Sequence, residues 1–249
     1  MSVDFRPRVA LASLSGQSDA AWAREASGDV GLAFLGGVAL DDPTRNAAER
    51  MVADRNRDEF LPADPVAFVA DELDALADAP LEAGVNVRAT TPAPVRPVAE
   101  VCADRGALCE VNAHCRQSEM CAAGAGETLL RDTERLCDIV SAASDAGATT
   151  SVKVRADVPD VDLPDLARAL EDAGASVLHV DAMDSEGVVA GVRDAFGGFI
   201  IANNGVRDRE TTREYLAYGA DAVSIGRPSD NPRVRARVRD AVVEWFDAA

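Results

Sequence analysis

One lysine, Lys153, stands among 24 arginines in this chain. It lies in Thr149-Thr150-Ser151-Val152-Lys153-Val154-Arg155, a β-branched run that reads as a buried strand leading into a loop. On the surface an arginine would serve as well. Packed inside a fold, a compact ammonium on a flexible stem does what a planar guanidinium cannot. A barrel-interior lysine paired with an acid is the plain alternative, and a Schiff-base role is chemically open. The two histidines, His114 and His179, fall at the ends of predicted strands. Cys115 follows His114 and precedes Arg116. A thiol in that company could act as an acid or nucleophile, against the usual fate of cysteine as a small buried hydrophobe. His179 alternates with Leu178 and Val180, so it points inward together with Asp181, either into a site or into a satisfied core position.

These residues need elements to carry them. Short apolar runs near residues 9–14, 31–38, 85–89, 108–113, 150–155, 176–181, 199–203 and 222–226 read as strands. Amphipathic stretches alternate with them, for example over 165–173, 211–218 and 233–246. Gly147, Gly174, Gly197 and Gly219 mark the turns from helix to next strand. The strands are continuously apolar, as in a parallel sheet covered on both faces. Eight such units predict an α/β protein built as a single (β/α)8 TIM barrel over residues 1–249, with no further domain after it. The second unit is long: residues 41–79 hold two helical stretches around the polar break Arg55-Asn56-Arg57-Asp58-Glu59-Phe60.

In such a barrel the site lies at the C-terminal strand ends. That rule selects Ser13 to Gly16, Asn86 and Arg88, Asn112 to Cys115, Lys153 and Arg155, His179 and Asp181, Asn203 to Gly205, and Gly226-Arg227. Asn204-Gly205-Val206 after the seventh strand and Gly226-Arg227 after the eighth fit a phosphate grip, in which small residues let backbone N–H groups approach an anion. Flavin mononucleotide, a phosphosugar and pyridoxal phosphate all satisfy that pattern. Cys109, Cys115 and Cys121 have spacings that match no common zinc or iron–sulfur pattern, so no metal is expected.

The net charge is −18 with 47% hydrophobic residues, which describes a folded acidic protein and not a disordered tail. High acid with almost no lysine fits a high-salt cytoplasm, where carboxylates keep a surface hydrated. The charge argues against a polyanionic partner outside a local arginine patch. No apolar run approaches the ~20 residues that span a bilayer. The odd number of cysteines, Cys102, Cys109, Cys115, Cys121 and Cys137, fits thiols in a reducing compartment.

Taken in order along the chain, these residues resemble the tRNA-dihydrouridine synthases, flavin-dependent barrels related to dihydroorotate dehydrogenases. Ala12-Ser13-Leu14-Ser15-Gly16-Gln17-Ser18-Asp19 is similar to the family's A-P-M-x-G-x-(T/S)-D opening, and Asn112-Ala113-His114-Cys115 to its N-x-G-C-P. Residues 123–130 look like G-x-G-A-x-L-L, Val152-Lys153-Val154-Arg155 like V-K-(I/V)-R, His179 like the start of H-x-R, and Asn204-Gly205 like N-G-(D/G)-I. The resemblance implies FMN as cofactor and NADPH as reductant. Lys153 and His179 would contact the flavin ring or its phosphate, Asn86 would stand where the family has a ring-binding Gln, and Ala12, Ser13 and Asn112 would line the flavin. Asn204, Gly205, Gly226 and Arg227 would hold the phosphate, and Cys115 would pass a proton to uracil C5 as hydride reaches C6. tRNA is the implied substrate, with a small pyrimidine as the alternative. His114, Arg116 and Asp181 replace the family's glycine, proline and arginine. A phosphosugar lyase or isomerase using Lys153 without flavin, and a non-catalytic FMN- or phosphate-binding barrel, are the rival readings.

Overall fold

The computed structural model describes residues 3–248. Eight parallel strands close into a barrel in chain order: β1 (Val9–Leu11), β2 (Leu32–Ala39), β3 (Glu82–Arg88), β4 (Leu108–Asn112), β5 (Thr149–Arg155), β6 (Val177–Asp181), β7 (Phe199–Asn203) and β8 (Ala222–Ile225). The single (β/α)8 barrel expected from the periodicity is the fold. The helices around it are α1 (Ala20–Ala26), α2 (Asp42–Arg55), α3 (Pro65–Asp74), α4 (Val95–Asp104), α5 (Ser118–Ala122), α6 (Thr133–Asp145), α7 (Leu163–Asp172), α8 (Val188–Ala195), α9 (Arg209–Ala217) and α10 (Pro232–Asp247). The long second unit resolves into α2 and α3, parted where Asn56 takes a left-handed conformation at φ 50°. No helix among the described residues is long and apolar enough to cross a membrane.

Part of the acidic excess is structural. Asp19, Asp41, Asp64, Asp132, Asp162 and Asp208 each cap a helix by accepting backbone N–H groups, where a carboxylate also meets the positive end of the helix dipole. Gly147, Gly174 and Gly219 take positive φ after their helices, as expected. Gly197 does not, because Phe196 already leaves α8 in an extended conformation. The first strand stops at Leu11 and not at residue 14, because Ser18 Oγ donates to the Leu14 carbonyl and accepts its N–H, folding residues 14–18 into a turn.

The barrel interior is layered. Phe5, Ala10, Leu32, Phe34, Leu108, Val177, Ile201 and Ala222 form an apolar plug. A larger apolar shell joins the outer faces of the strands to the helices. Above the plug lies a layer of fully buried polar side chains, Asn86, Glu110, Ser151, His179 and Ser224, with the His179 ring stacked on Phe34 at 5.2 Å. The next residues up each strand face the open C-terminal end.

Candidate active site

A cavity of about 780 Å³ opens at the C-terminal ends of the strands. Its wall includes Ala12, Ser13, Asn112, Cys115, Lys153, Asn204, Gly205, Gly226 and Arg227, all expected there from the sequence. Seven basic side chains line it, Arg57, Arg88, Arg116, Lys153, Arg155, Arg207 and Arg227, against one carboxylate, Asp181. In a chain of net charge −18 this is a local reversal of sign, built to attract an anion.

Lys153 projects from β5 and is 2% exposed, yet its ammonium has no hydrogen bond or ion pair among the described residues. Burial pushes its pKa down, while Glu110 and Asp181 work to keep the charge. Arg116 and Arg227 also lack a partner among the described residues, in a protein with acid to spare. Arg155, by contrast, lies 3.4 Å from Glu127, and Arg88 lies 2.6 Å from Glu59.

The loop bearing Cys115 is held from both sides. Asn112 Oδ1 accepts the Cys115 N–H at 3.1 Å and the His114 N–H at 3.3 Å. The Cys115 carbonyl accepts the Glu127 N–H at 2.9 Å. Gly126 passes so close that a Cβ there would stand 2.1 Å from that carbonyl oxygen, so only glycine fits. His114 is half-buried in the wall; desolvation, then Lys153 and the other nearby cations, push its pKa well below the ordinary value and keep the ring neutral. On the opposite wall, Asp181 accepts from the Asn204 side chain at 2.9 Å. Tyr215 of α9 donates to the carbonyls of Asn203 and Asn204. Together they fix Asn204 at φ 85° and present Gly205 to the cavity.

Two expected residues lie elsewhere. Asn86 and His179 are fully buried and do not reach the cavity. The strand ends extend two residues further, and Arg88 and Asp181, on the same inward faces, occupy the wall instead. His179 is in register with Lys153, but strand tilt in a closed barrel carries register neighbours to different depths.

Asn86 and His179 instead belong to a chain of hydrogen bonds beneath the cavity. The Cys115 and His114 N–H groups donate to Asn112; Asn112 donates to Asn86 at 2.8 Å, and Asn86 to Glu110 at 2.7 Å. From the other side Asn203 donates to Ser224 at 2.5 Å, Ser224 pairs with His179 Nε2 at 2.7 Å, and His179 Nδ1 pairs with Glu110 at 2.8 Å. Ser151 adds a third donor to Glu110 at 3.1 Å. Both arms therefore run toward one carboxylate, which assigns His179 the tautomer with the proton on Nδ1. Burial opposes the charge on Glu110, but His179, Lys153 and the Asn86 amide outweigh it and hold the carboxyl below its ordinary pKa. Burial pushes the His179 pKa down. Sequence reading missed Glu110; the signal was an acid at the centre of the short strand Leu108–Asn112, on the inward face it shares with Asn112.

The sequence model of a family described as dihydrouridine synthase (Dus) matches residues 68–245. The chain belongs to that family. It is by class a flavin-dependent oxidoreductase. The matched span carries Cys115, Lys153 and the β7–β8 loops. An uncharacterized protein of Methanocaldococcus jannaschii is 25% identical over 232 residues, covering 88% of each chain. tRNA-dihydrouridine synthase B of Xanthomonas campestris pv. campestris is 28% identical over 213 residues, 79% of this chain and 64% of the synthase, so the chain spans less than two thirds of that relative's length. Morphinone reductase, solved in complex with tetrahydroNAD, superposes with a TM-score of 0.68 at 14% identity, covering 97% of this chain and 88% of that one. A chain of a tryptophan synthase complex from Pyrococcus furiosus gives 0.57 at 13% identity, covering 96% and 97%. These two structural likenesses concern the barrel fold alone.

Proposed function

We propose that this protein reduces the C5–C6 double bond of a uracil-type ring, with FMN as resident cofactor and NADPH as reductant. Several features of the wall fit the cofactor. Gly205 and Gly226 each leave open space where a Cβ would stand, beside Arg227, as a phosphate cradle requires. Lys153 is a buried residue whose ammonium has no partner among the described residues, placed to meet negative charge on a ligand. That lysine is the observation that carries the reading: its stem is buried, it lines the cavity, and its ammonium has no partner among the described residues, a placement that favours an anionic ligand. Ala12, Ser13 and Asn112 supply the remaining contacts to the ring. Bound FMN would supply hydride chemistry. Lys153 stabilises the negative charge that develops at the ring edge. Cys115, on its doubly held loop, delivers the proton to C5. His114, neutral and bonded to Asn112, keeps the loop in place without adding another cation.

tRNA uridine is the substrate that the family name and the Xanthomonas relative suggest; a free pyrimidine is the other member of the same class. A high-salt cytoplasm fits the acidic surface and the five free cysteines. The test is the visible absorption spectrum after FMN loading, followed by anaerobic NADPH. The expected result is a bound flavin that NADPH bleaches and that a uracil substrate reoxidises. Cys115→Ala should keep flavin and lose turnover. A protein that ignores added FMN, or a Cys115→Ala variant with full turnover, contradicts the reading or the role given to Cys115, respectively.

A further inference from the structure

The cations of the cavity fall into two groups on opposite sides. In a closed barrel of eight strands, β3 and β4 stand four strands from β7 and β8, directly across the opening. The β7–β8 side holds Asn204, Gly205, Gly226 and Arg227, committed to the cofactor phosphate by the flavin reading on which this inference rests. The β3–β4 side holds Arg88, Arg116 and, from the loop after α2, Arg57.

We propose that this second side is an anion subsite, formed by Arg57, Arg88 and Arg116, that takes a carboxylate or phosphate carried by a small planar substrate. Arg57 and Arg88 share one carboxylate, Glu59, and Arg116 pairs with none among the described residues, leaving excess positive charge. Arg88 is 3% exposed. Two of its nitrogens are taken, Nη1 by Glu59 and Nη2 by Ser15, but its Nε is buried with no partner. Arg57 Nε stands 3.7 Å from Glu59 Oε1, and neither atom has a hydrogen bond. Two guanidinium donors, Arg57 Nε and Arg88 Nε, thus lack an acceptor, and both side chains line the cavity together with Arg116, where buried donors ordinarily find acceptors. A carboxylate or phosphate, with several lone pairs, matches guanidinium donors in that arrangement. The loop bearing Arg116 is preorganised: Arg55 at the end of α2 bonds Gln117 at 2.9 Å and Ser118 at 2.7 Å and lies 2.9 Å from Glu119.

The charge distribution decides the size of the ligand. Seven of the 25 basic residues line the cavity, so the remaining surface is more acidic than the chain as a whole. At the low salt of the experiment below, a polyanion lying across that surface is repelled. A small anion carries its charge only into the cavity.

The experiment uses FMN-loaded protein at the lowest salt that keeps it folded. Uracil, uracil-6-carboxylate, uridine 5′-monophosphate and a uridine-containing RNA stem-loop are titrated separately, and the flavin band is followed. The expected result is that a charged ring binds about tenfold or more tightly than uracil, the scale of a charge-assisted contact. Preference for the carboxylate or for the nucleotide identifies which anion the subsite takes. Arg116→Ala and Arg57→Ala should each erase most of the preference while FMN stays bound, and Arg116→Lys should keep part of it. Equal binding of charged and neutral rings overturns the subsite. RNA binding that exceeds both small anions and disappears in Arg116→Ala overturns the small-molecule assignment. Absence of flavin bands after FMN loading overturns the flavin reading itself, and this inference with it.

Discussion

Two polar layers sit one above the other inside this barrel, and they are finished differently. In the lower layer Asn86, Glu110, Ser151, His179 and Ser224 are fully buried, and every link between them is a hydrogen bond between side chains. At the cavity above it, the buried Lys153 and the exposed loop residues Arg116 and Arg227 have no hydrogen-bond or ion-pair partner among the described residues. A buried polar network that satisfies its members rigidifies a core. Cations left open at a cavity wall fit a ligand that completes them. We therefore propose that the lower layer is scaffold and the upper layer is site, although both are made of residues that a sequence reading would equally suspect.

Substitutions should separate the layers. The largest effect is expected at Glu110. Glu110→Ala leaves His179, Asn86 and Ser151 donating to nothing and should cost about 3–5 kcal/mol of stability, read by chemical denaturation. Glu110→Gln keeps the volume but places a donor against one of the arms, with a smaller loss of about 1–3 kcal/mol. A stable Glu110→Ala variant would break the comparison. Lys153→Met should do the opposite: unchanged or improved stability, with FMN affinity reduced about tenfold to a hundredfold, measured by flavin titration. Arg227→Ala, on an exposed unpaired residue, should leave stability within about 0.5 kcal/mol and weaken FMN binding by roughly tenfold.

The same contrast was only partly legible in the sequence. The eight βα units, three of the four glycine stops and the inward parity of the strands follow from residue patterning, and the structure has them. Depth did not follow. Asn86 and Arg88 share one inward face, as do His179 and Asp181, and alternation cannot say which member of a pair reaches the cavity. That depends on strand tilt and on where neighbouring strands end, which exist only in the closed barrel. Resemblance favoured His179 because it matches the start of H-x-R; in the structure it is buried against Phe34 and Glu110, below the cavity. Glu110 went unremarked because its partners come from three other strands.

Acidification acts through the two histidines. Burial keeps His114 and His179 neutral in the folded protein, with their pKa values below the ordinary one. Below about pH 6.5 the unfolded chain takes up protons that the native state refuses, so stability falls as pH drops through that range. The slope should reach at most about 1.4 kcal/mol per pH unit for each imidazole, and His179→Gln should flatten it.

The most direct test of the division between scaffold and site is a paired measurement on Lys153→Met: FMN affinity from the visible band, and unfolding free energy in the same buffer. The account predicts a protein as stable as the parent or more so, with most of its flavin affinity lost. A variant that binds FMN as the parent does but unfolds more easily would make Lys153 part of the scaffold and contradict the account.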